Sequence, residues 1–458
     1  MGGPPRSTGD KITLGIFGLA ALGALAVVVQ GLRMLGPDPA WAHTLLTWGG
    51  VALVLFAVPL FLAPGLRANL AMSLVMVVLC AYGFNAFLAY APSPNLAAVK
   101  ALEEARRAVP GFDHRSTLQV VRDMRADGVP AVPALLGNYA LDEHKGDALL
   151  PLSGIATATT VLCNESGRFA IFPSDEHGYN NPRGLPEQVD VVLVGDSFVQ
   201  GQCVPPGKDV AGALRKRGYT AVNAGCGGNG PLLSLAALIE YGLPRRPKVV
   251  IWGFAGNDPH DMQAELLDPV LRRYRDDPAF SQGLMGRQAE IDAYWQDYLQ
   301  RKRSFETPKD EVRGAVREWK GRKPRLAELL TLFSLRRLLG LRRGGTSVPW
   351  DVAYRPILKR AQAAAEAQGA KFYVVSFPHY ELVAKGFQEE QLIHRVAREE
   401  GVETVDFLKR ILAQPDPLAL FPLRLAGHFN EAGYDQLAQQ LAEEVLPPVQ
   451  APLRDTPQ

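Results

Sequence analysis

Four short stretches carry residue types that together can move an acyl group. Ser197 lies in GDSFVQG, Gly227 and Gly228 in NAGCGGNGP, Asn257 in GFAGNDPHD, and His428 in AGHFNEAGY. Acyl transfer through serine needs a nucleophile, a base and donors aimed at the developing oxyanion. Ser197 can supply the nucleophile, and His428, neutral near pH 7, can accept its proton. The backbone amides of Ser197 and Gly228 and the side-chain amide of Asn257 can supply the donors. Each stretch also has a plainer reading. Ser197 and Asp196 can cap a turn, Gly227 and Gly228 can form one, Asn257-Asp258-Pro259 is ordinary loop chemistry, and His428 can cap a following helix. Their joint occurrence favours catalysis. His260 and His379, each beside a proline, are read as structural. His and Cys show no ligand spacing, so no metal is expected.

These residues need elements to hold them. Apolar runs at Val189–Val194, Tyr219–Asn223, Lys248–Trp252, Lys371–Phe377 and Val402–Phe407 read as strands. They alternate with helical patterns at Asp209–Arg217, Leu232–Tyr241, Val352–Gln368, Glu389–Glu400 and Asn430–Val445, the signature of an α/β fold with a parallel sheet. Ser197, Gly228 and Asn257 each follow a strand, at the sheet edge where such folds bind ligands. Upstream, TTVLCNESGRFAIF reads as two short strands around the turn Glu165-Ser166-Gly167, and Ser174–Gly184 as a loop.

In these motifs the sequence resembles the SGNH, or GDSL-type, serine hydrolases, from about Val189 to Leu446. The resemblance implies Ser197 as nucleophile, Gly228 and Asn257 as oxyanion donors and His428 as base. It also implies a flavodoxin-like three-layer α/β/α fold and ester-directed chemistry on carbohydrate or lipid acyl groups, without metal or cofactor. One departure stands out. Members usually carry an aspartate two or three residues before the histidine, where this chain has Ala426 and Leu425. A backbone carbonyl can orient His428 instead, as can a distant acid such as Asp406, with Asp258 and Asp261 as weaker options.

The chain has 458 residues, 47% of them hydrophobic, and a formal net charge of +2, which argues neither for nor against nucleic acid. Its apolar content is concentrated at the start. Ile12–Gln30, Thr44–Leu62 and Leu70–Leu88 are uncharged runs long enough to cross a bilayer. With Arg6, Lys11 and Arg67 on the cytoplasmic side, an odd number of spans puts everything after Leu88 outside. The expected layout is a three-helix anchor over 1–90, a stalk helix with a small β-containing extension over 91–188, and the hydrolase-like domain over 189–450. A basic, leucine-rich insertion at about 262–350 reads either as an amphipathic helix on the membrane or over the site, or as a helical cap packed on its own domain. Its aromatic residues do not alternate with the basic ones, so no nucleic-acid partner is expected. Cys203 and Cys226 follow neighbouring loops and are expected either as a bridge or as two free thiols.

The expected function is a plasma-membrane, multi-pass esterase with its catalytic domain on the periplasmic or extracellular side. It would remove acyl groups, acetyl foremost, from a cell-envelope carbohydrate or lipid. Two alternatives stay open: an O-acyltransferase of a surface polysaccharide, which implies a membrane partner protein, and a non-catalytic glycan-binding or assembly protein on a hydrolase fold.

Overall fold

A computed structural model describes residues 7–35, 39–90, 94–146, 148–301, 326–338, 349–386 and 391–446. The described chain forms two units, one from residues 1–96 with 316–346, the other from 97–315 with 347–458.

In the first unit, helices α1 (Thr8–Met34), α2 (Pro39–Ala57) and α3 (Pro64–Tyr90) follow the three apolar runs. Each is long and apolar enough to cross a membrane. Large apolar side chains such as Leu19, Val54 and Phe61 point outward, as expected of a surface bathed in lipid rather than water. Arg67, at the start of α3, pairs with Asp10, at the start of α1, at 2.7 Å. The two helices therefore begin on the same side. Part of the basic insertion joins this unit. Helices Leu326–Leu330 and Phe333–Leu338 lie against α3, where buried Asn85 donates to the Leu329 carbonyl and accepts from the Leu335 amide. Tyr82 adds a third bond, its hydroxyl donating to the Leu330 carbonyl, so polar side chains of an otherwise apolar helix supply the docking hydrogen bonds.

The second unit holds two sheets. The smaller has strands β1 (Ala131–Pro133), β2 (Thr159–Val161) and β3 (Ile171–Pro173), with β2 parallel to β1 and antiparallel to β3. The larger is parallel throughout and has strands β4 (Val191–Val194), β5 (Ala221–Asn223), β6 (Val249–Ala255), β7 (Lys371–Phe377) and β8 (Glu403–Val405). They lie in the order β5-β4-β6-β7-β8, the flavodoxin-like order, with its switch point at β4. Strand residues alternate between two cores. Val192, Val194, Val250, Trp252 and Val374 pack with helices Pro231–Ala237, Trp350–Glu366 and Leu392–Glu399. Val191, Leu193, Ile251, Val375 and Val405 pack with Val210–Lys216, Phe407–Leu412 and Glu431–Glu444. Burial of both faces of the sheet explains why its strands read as continuous apolar runs.

The first part of the insertion is core rather than appendage. Helices Pro269–Asp276 and Gln288–Arg301 contribute Leu271, Tyr274, Ile291 and Trp295, all fully buried, to the first of these cores. The loop expected at Ser174–Gly184 is also buried at its centre. Asn181 donates to the Asn223 carbonyl and accepts from the Asn223 amide, and Asn180 donates to the Gln200 carbonyl. This segment therefore braces β5 and the turn after β4.

Candidate active site

Strand β4 ends at Val194, and the chain turns at once into the short helix Ser197–Gln200. The turn needs glycine at 195: a Cβ there would lie 2.6 Å from Val199 Cγ2 and 3.2 Å from the Gly253 carbonyl. Asp196 caps the helix, its Oδ1 accepting from the Phe198 amide at 2.9 Å. Complete burial raises the Asp196 pKa above its ordinary value, against the hydrogen bond from Phe198, the charge of His428 and a hydrogen bond from the Asn257 side chain. Ser197 itself remains half-buried and accessible.

Ser197 Oγ lies 2.8 Å from His428 Nε2. These atoms come from positions 231 residues apart, brought together because His428 precedes helix Glu431–Glu444, which packs on the same face of the sheet. Beneath them, the Phe198 ring contacts the rings of His428, His379, Phe377 and Phe429.

The other ring nitrogen of His428 meets an acid that sequence reasoning missed. Nδ1 lies 2.9 Å from Glu165 Oε1, and the His428 backbone amide donates to Glu165 Oε2 at 2.8 Å. One carboxylate thus grips both the ring and the main chain of the histidine. Gly427 makes room for it, since a Cβ there would lie 2.6 Å from Glu165 Oε2. Asp406, the acid suggested by the sequence, is used elsewhere. Its Oδ1 accepts from the Lys409 amide at the start of helix Phe407–Leu412. Asp261 accepts from Asn257 Nδ2 at 2.8 Å, and Asp258 accepts from the Ala255 amide.

Electrostatics follow from this geometry. Burial lowers the His428 pKa, but the charge and hydrogen bond of Glu165, with the charge of Asp196, raise it above its ordinary value. For Glu165, burial acts upward, while His428 and Arg106 hold the carboxyl below its ordinary value. The acid is therefore ionised and fixes the proton on Nδ1, leaving Nε2 as the acceptor facing Ser197.

Glu165 is held by its own loop and by a covalent staple. Asn164 donates to the Asp113 carbonyl and accepts from the Gly167 amide, both at 2.8 Å. Cys163 is bridged to Cys203, just past the helix Ser197–Gln200. The bridge weighed between Cys203 and Cys226 is thus replaced by a different pairing. Cys226 is buried and free, its Sγ directed at the Leu135 carbonyl, and burial pushes its thiol up to about 11.

The two expected oxyanion loops sit beside the nucleophile turn and are tied to each other. The Cys226 amide donates to the Gly195 carbonyl, and the Gly227 amide to Gln200 Oε1. On the other side, His379 Nε2 accepts from the Gly256 amide at 2.9 Å, one residue before Asn257. Asn257 starts helix Asp258–Glu265, whose last residue, Glu265, accepts from the Gly230 and Leu232 amides at 2.7 and 2.8 Å. One short helix therefore joins the Asn257 turn to the glycine loop. The Glu265 carboxyl is pushed up to about 8 by burial, against hydrogen bonds from those amides.

A parallel sheet of flavodoxin-like order, with a serine, a histidine and a carboxylate in hydrogen-bonded series at its switch point, defines a serine hydrolase acting on ester bonds. The sequence profile of the GDSL-like lipase/acylhydrolase family matches residues 193–436, and the chain belongs to that family. Glu165 lies outside the matched segment. No curated protein matches the chain. One solved structure that it resembles is a two-domain esterase active on acetylated mannans, crystallised with mannopentaose. The two are 17% identical, with a TM-score of 0.27 over 58% of this chain and 53% of that one. The chain thus spans about half of that protein, and the likeness carries no argument about activity.

Proposed function

We propose that this protein is a membrane-anchored esterase working outside the cytoplasm, removing acyl groups, acetyl foremost, from a cell-envelope glycan. Ser197 attacks the ester carbonyl and His428 takes its proton. Glu165 holds the ring in the reactive tautomer and stabilises the imidazolium, while the Ser197 and Gly228 amides and the Asn257 side chain receive the oxyanion. The alcohol leaves with the proton from His428, and water then releases the acid from Ser197. The observation that carries this reading is the unbroken series from Ser197 Oγ through His428 to Glu165.

Placement outside the cytoplasm draws on the Cys163–Cys203 bridge, which an oxidising compartment favours. It also draws on the Asp10–Arg67 pair, which groups the basic residues Lys11 and Arg67 on one side of the spans. The test uses p-nitrophenyl acetate with the full chain in lipid nanodiscs. Hydrolysis that disappears in Ser197→Ala supports the reading; hydrolysis that persists, or none in the unmodified protein, refutes it. Supplying an acetyl donor with an oligosaccharide then reads whether the acyl group passes to water or to a sugar hydroxyl.

A further inference from the structure

A cleft of about 480 Å³ opens beside His428 and Glu165. Its walls come largely from the part of the chain that precedes the family segment: helix Pro94–Arg107, the loop 112–116 with the first turn of helix Thr117–Ala126, and the Cys163–Glu165 turn. Its volume falls within the ~300–1,000 Å³ common for small-ligand sites.

Three chemical features of the wall decide what would fit. The first is charge balance. Arg106, Arg107 and Arg115 face the cleft with Glu103, Asp113 and Glu165. Arg107 pairs with Glu103 at 3.1 Å, and Arg115 with Asp113 and Asp123, each at 2.7 Å. A polyanion entering here would meet three carboxylates and would have to compete for guanidiniums already engaged. The second is polarity. Apart from Phe112, Phe169 and the disulfide, the lining consists of charged, amide, hydroxyl and imidazole side chains, which gives an acyl tail little to bury against. Gln202 and Asn164 add amide side chains to the lining. The third is a flat platform. The Phe112 and His114 rings stack with centroids 4.9 Å apart and planes inclined by 29°, and His114 is exposed. Such a surface suits the apolar face of a pyranose ring, while the surrounding carboxylates, guanidiniums and amides accept from and donate to its hydroxyls.

We propose that this cleft is a subsite for a neutral oligosaccharide, holding the glycan chain whose ester is presented to Ser197. It rests on the esterase reading above and narrows the substrate to an uncharged, hydroxyl-rich sugar chain rather than a lipid or an acidic glycan. His114 is the residue to change, because its exposed ring can be removed without opening a core.

The experiment is calorimetric titration of the full chain in nanodiscs with mannopentaose, xylopentaose and cellopentaose, and with pentagalacturonate as the polyanion. At least one neutral pentaose binds, at least 10-fold more tightly than pentagalacturonate. His114→Ala weakens that binding 10-fold or more, and His114→Trp restores it. The proposal is overturned if no neutral pentaose binds, if pentagalacturonate binds better, or if binding ignores the substitution at His114. Turnover of p-nitrophenyl acetate by the same preparation is a separate readout. Its failure counts against the esterase reading, whereas failure of sugar binding with turnover intact counts against the cleft alone.

Discussion

Replacing Glu165 with glutamine probes the site most sharply, because the carboxylate makes two bonds of the same polarity and an amide can make only one of them. Both the His428 backbone amide and Nδ1–H donate to Glu165, at 2.8 and 2.9 Å. If the new amide oxygen accepts from the backbone, its NH2 faces Nδ1. The ring then carries its proton on Nε2 and cannot accept from Ser197. If the amide turns over, the reactive tautomer is kept, but the NH2 group faces the backbone N–H and leaves a donor unpaired, at a cost of about 1–3 kcal/mol. The inactive arrangement is favoured by that amount, so the reactive tautomer falls to a minor population, roughly a 10- to 100-fold loss. Loss of the negative charge behind the developing imidazolium removes about another 10- to 100-fold, bringing the total to ~10²–10⁴, with the ~10⁴ loss known for a triad aspartate made asparagine at its upper end. The assay is kcat/KM for p-nitrophenyl acetate from pH 5 to 9, with circular dichroism to confirm folding. Glu165→Ala, which leaves water free to accept from Nδ1–H, is expected to lose less than Glu165→Gln. A Glu165→Gln enzyme retaining more than a tenth of kcat/KM would refute the reasoning.

Further tests follow from neighbouring contacts. His428 must be neutral to act, and its pKa is raised in the folded protein. Activity should therefore fall as pH drops through a midpoint above the ordinary histidine value, and in Glu165→Gln any residual activity should show that midpoint at lower pH. The same shift has a stability sign: the His428–Glu165 attraction contributes fully below the unfolded histidine pKa and is lost as pH rises through the folded one. Gly427→Ala puts a methyl group 2.6 Å from the Glu165 carboxylate and should lower kcat at least 10-fold without large loss of secondary structure, read by kinetics and circular dichroism. Cys163→Ser with Cys203→Ser opens a bridge between residues 40 apart, worth about 4 kcal/mol by chain entropy. It should lower the chemical-denaturation midpoint and also reduce kcat by freeing the Glu165 turn. Glu265→Ala leaves the Gly230 and Leu232 amides without their acceptor, a cost of about 1–3 kcal/mol each, and should reduce both the denaturation midpoint and kcat.

The parallel sheet was legible because both of its faces are buried, which makes each strand a short apolar run. Ser197 and His428, the proposed nucleophile and base, could be singled out because they sit in compact motifs at strand or helix ends. Glu165 was not legible for the opposite reason. It lies in the connection 162–170 between β2 and β3, 263 residues from its partner, and no local pattern distinguishes such an acid from a solvated one. Two faint signals were present: a cysteine two residues before it, and the missing acid at Leu425 and Ala426 followed by a glycine directly before His428. The Cys203–Cys226 option assumed that loops on neighbouring strands would share a bridge. Instead Cys226 packs under the glycine loop, while Cys203 faces the extension. The insertion reads as one piece in the sequence although its two parts belong to different units: an aromatic-rich first part buried around Trp295, and a basic, leucine-rich second part docked on Asn85.

The Cys163–Cys203 bridge also redraws the covalent map of the site. Along the backbone, Glu165 precedes Ser197 by 32 residues, yet each is close to one end of the bridge, two residues away in one case and six in the other. Through sulfur, acid and nucleophile become near neighbours in bonding as well as in space. Their relative position is then held by a short covalent path through the sulfurs as well as by the packing around them. Breaking that path would lengthen the tether without dismantling either sheet, so the alignment of the site can be lost while the fold persists.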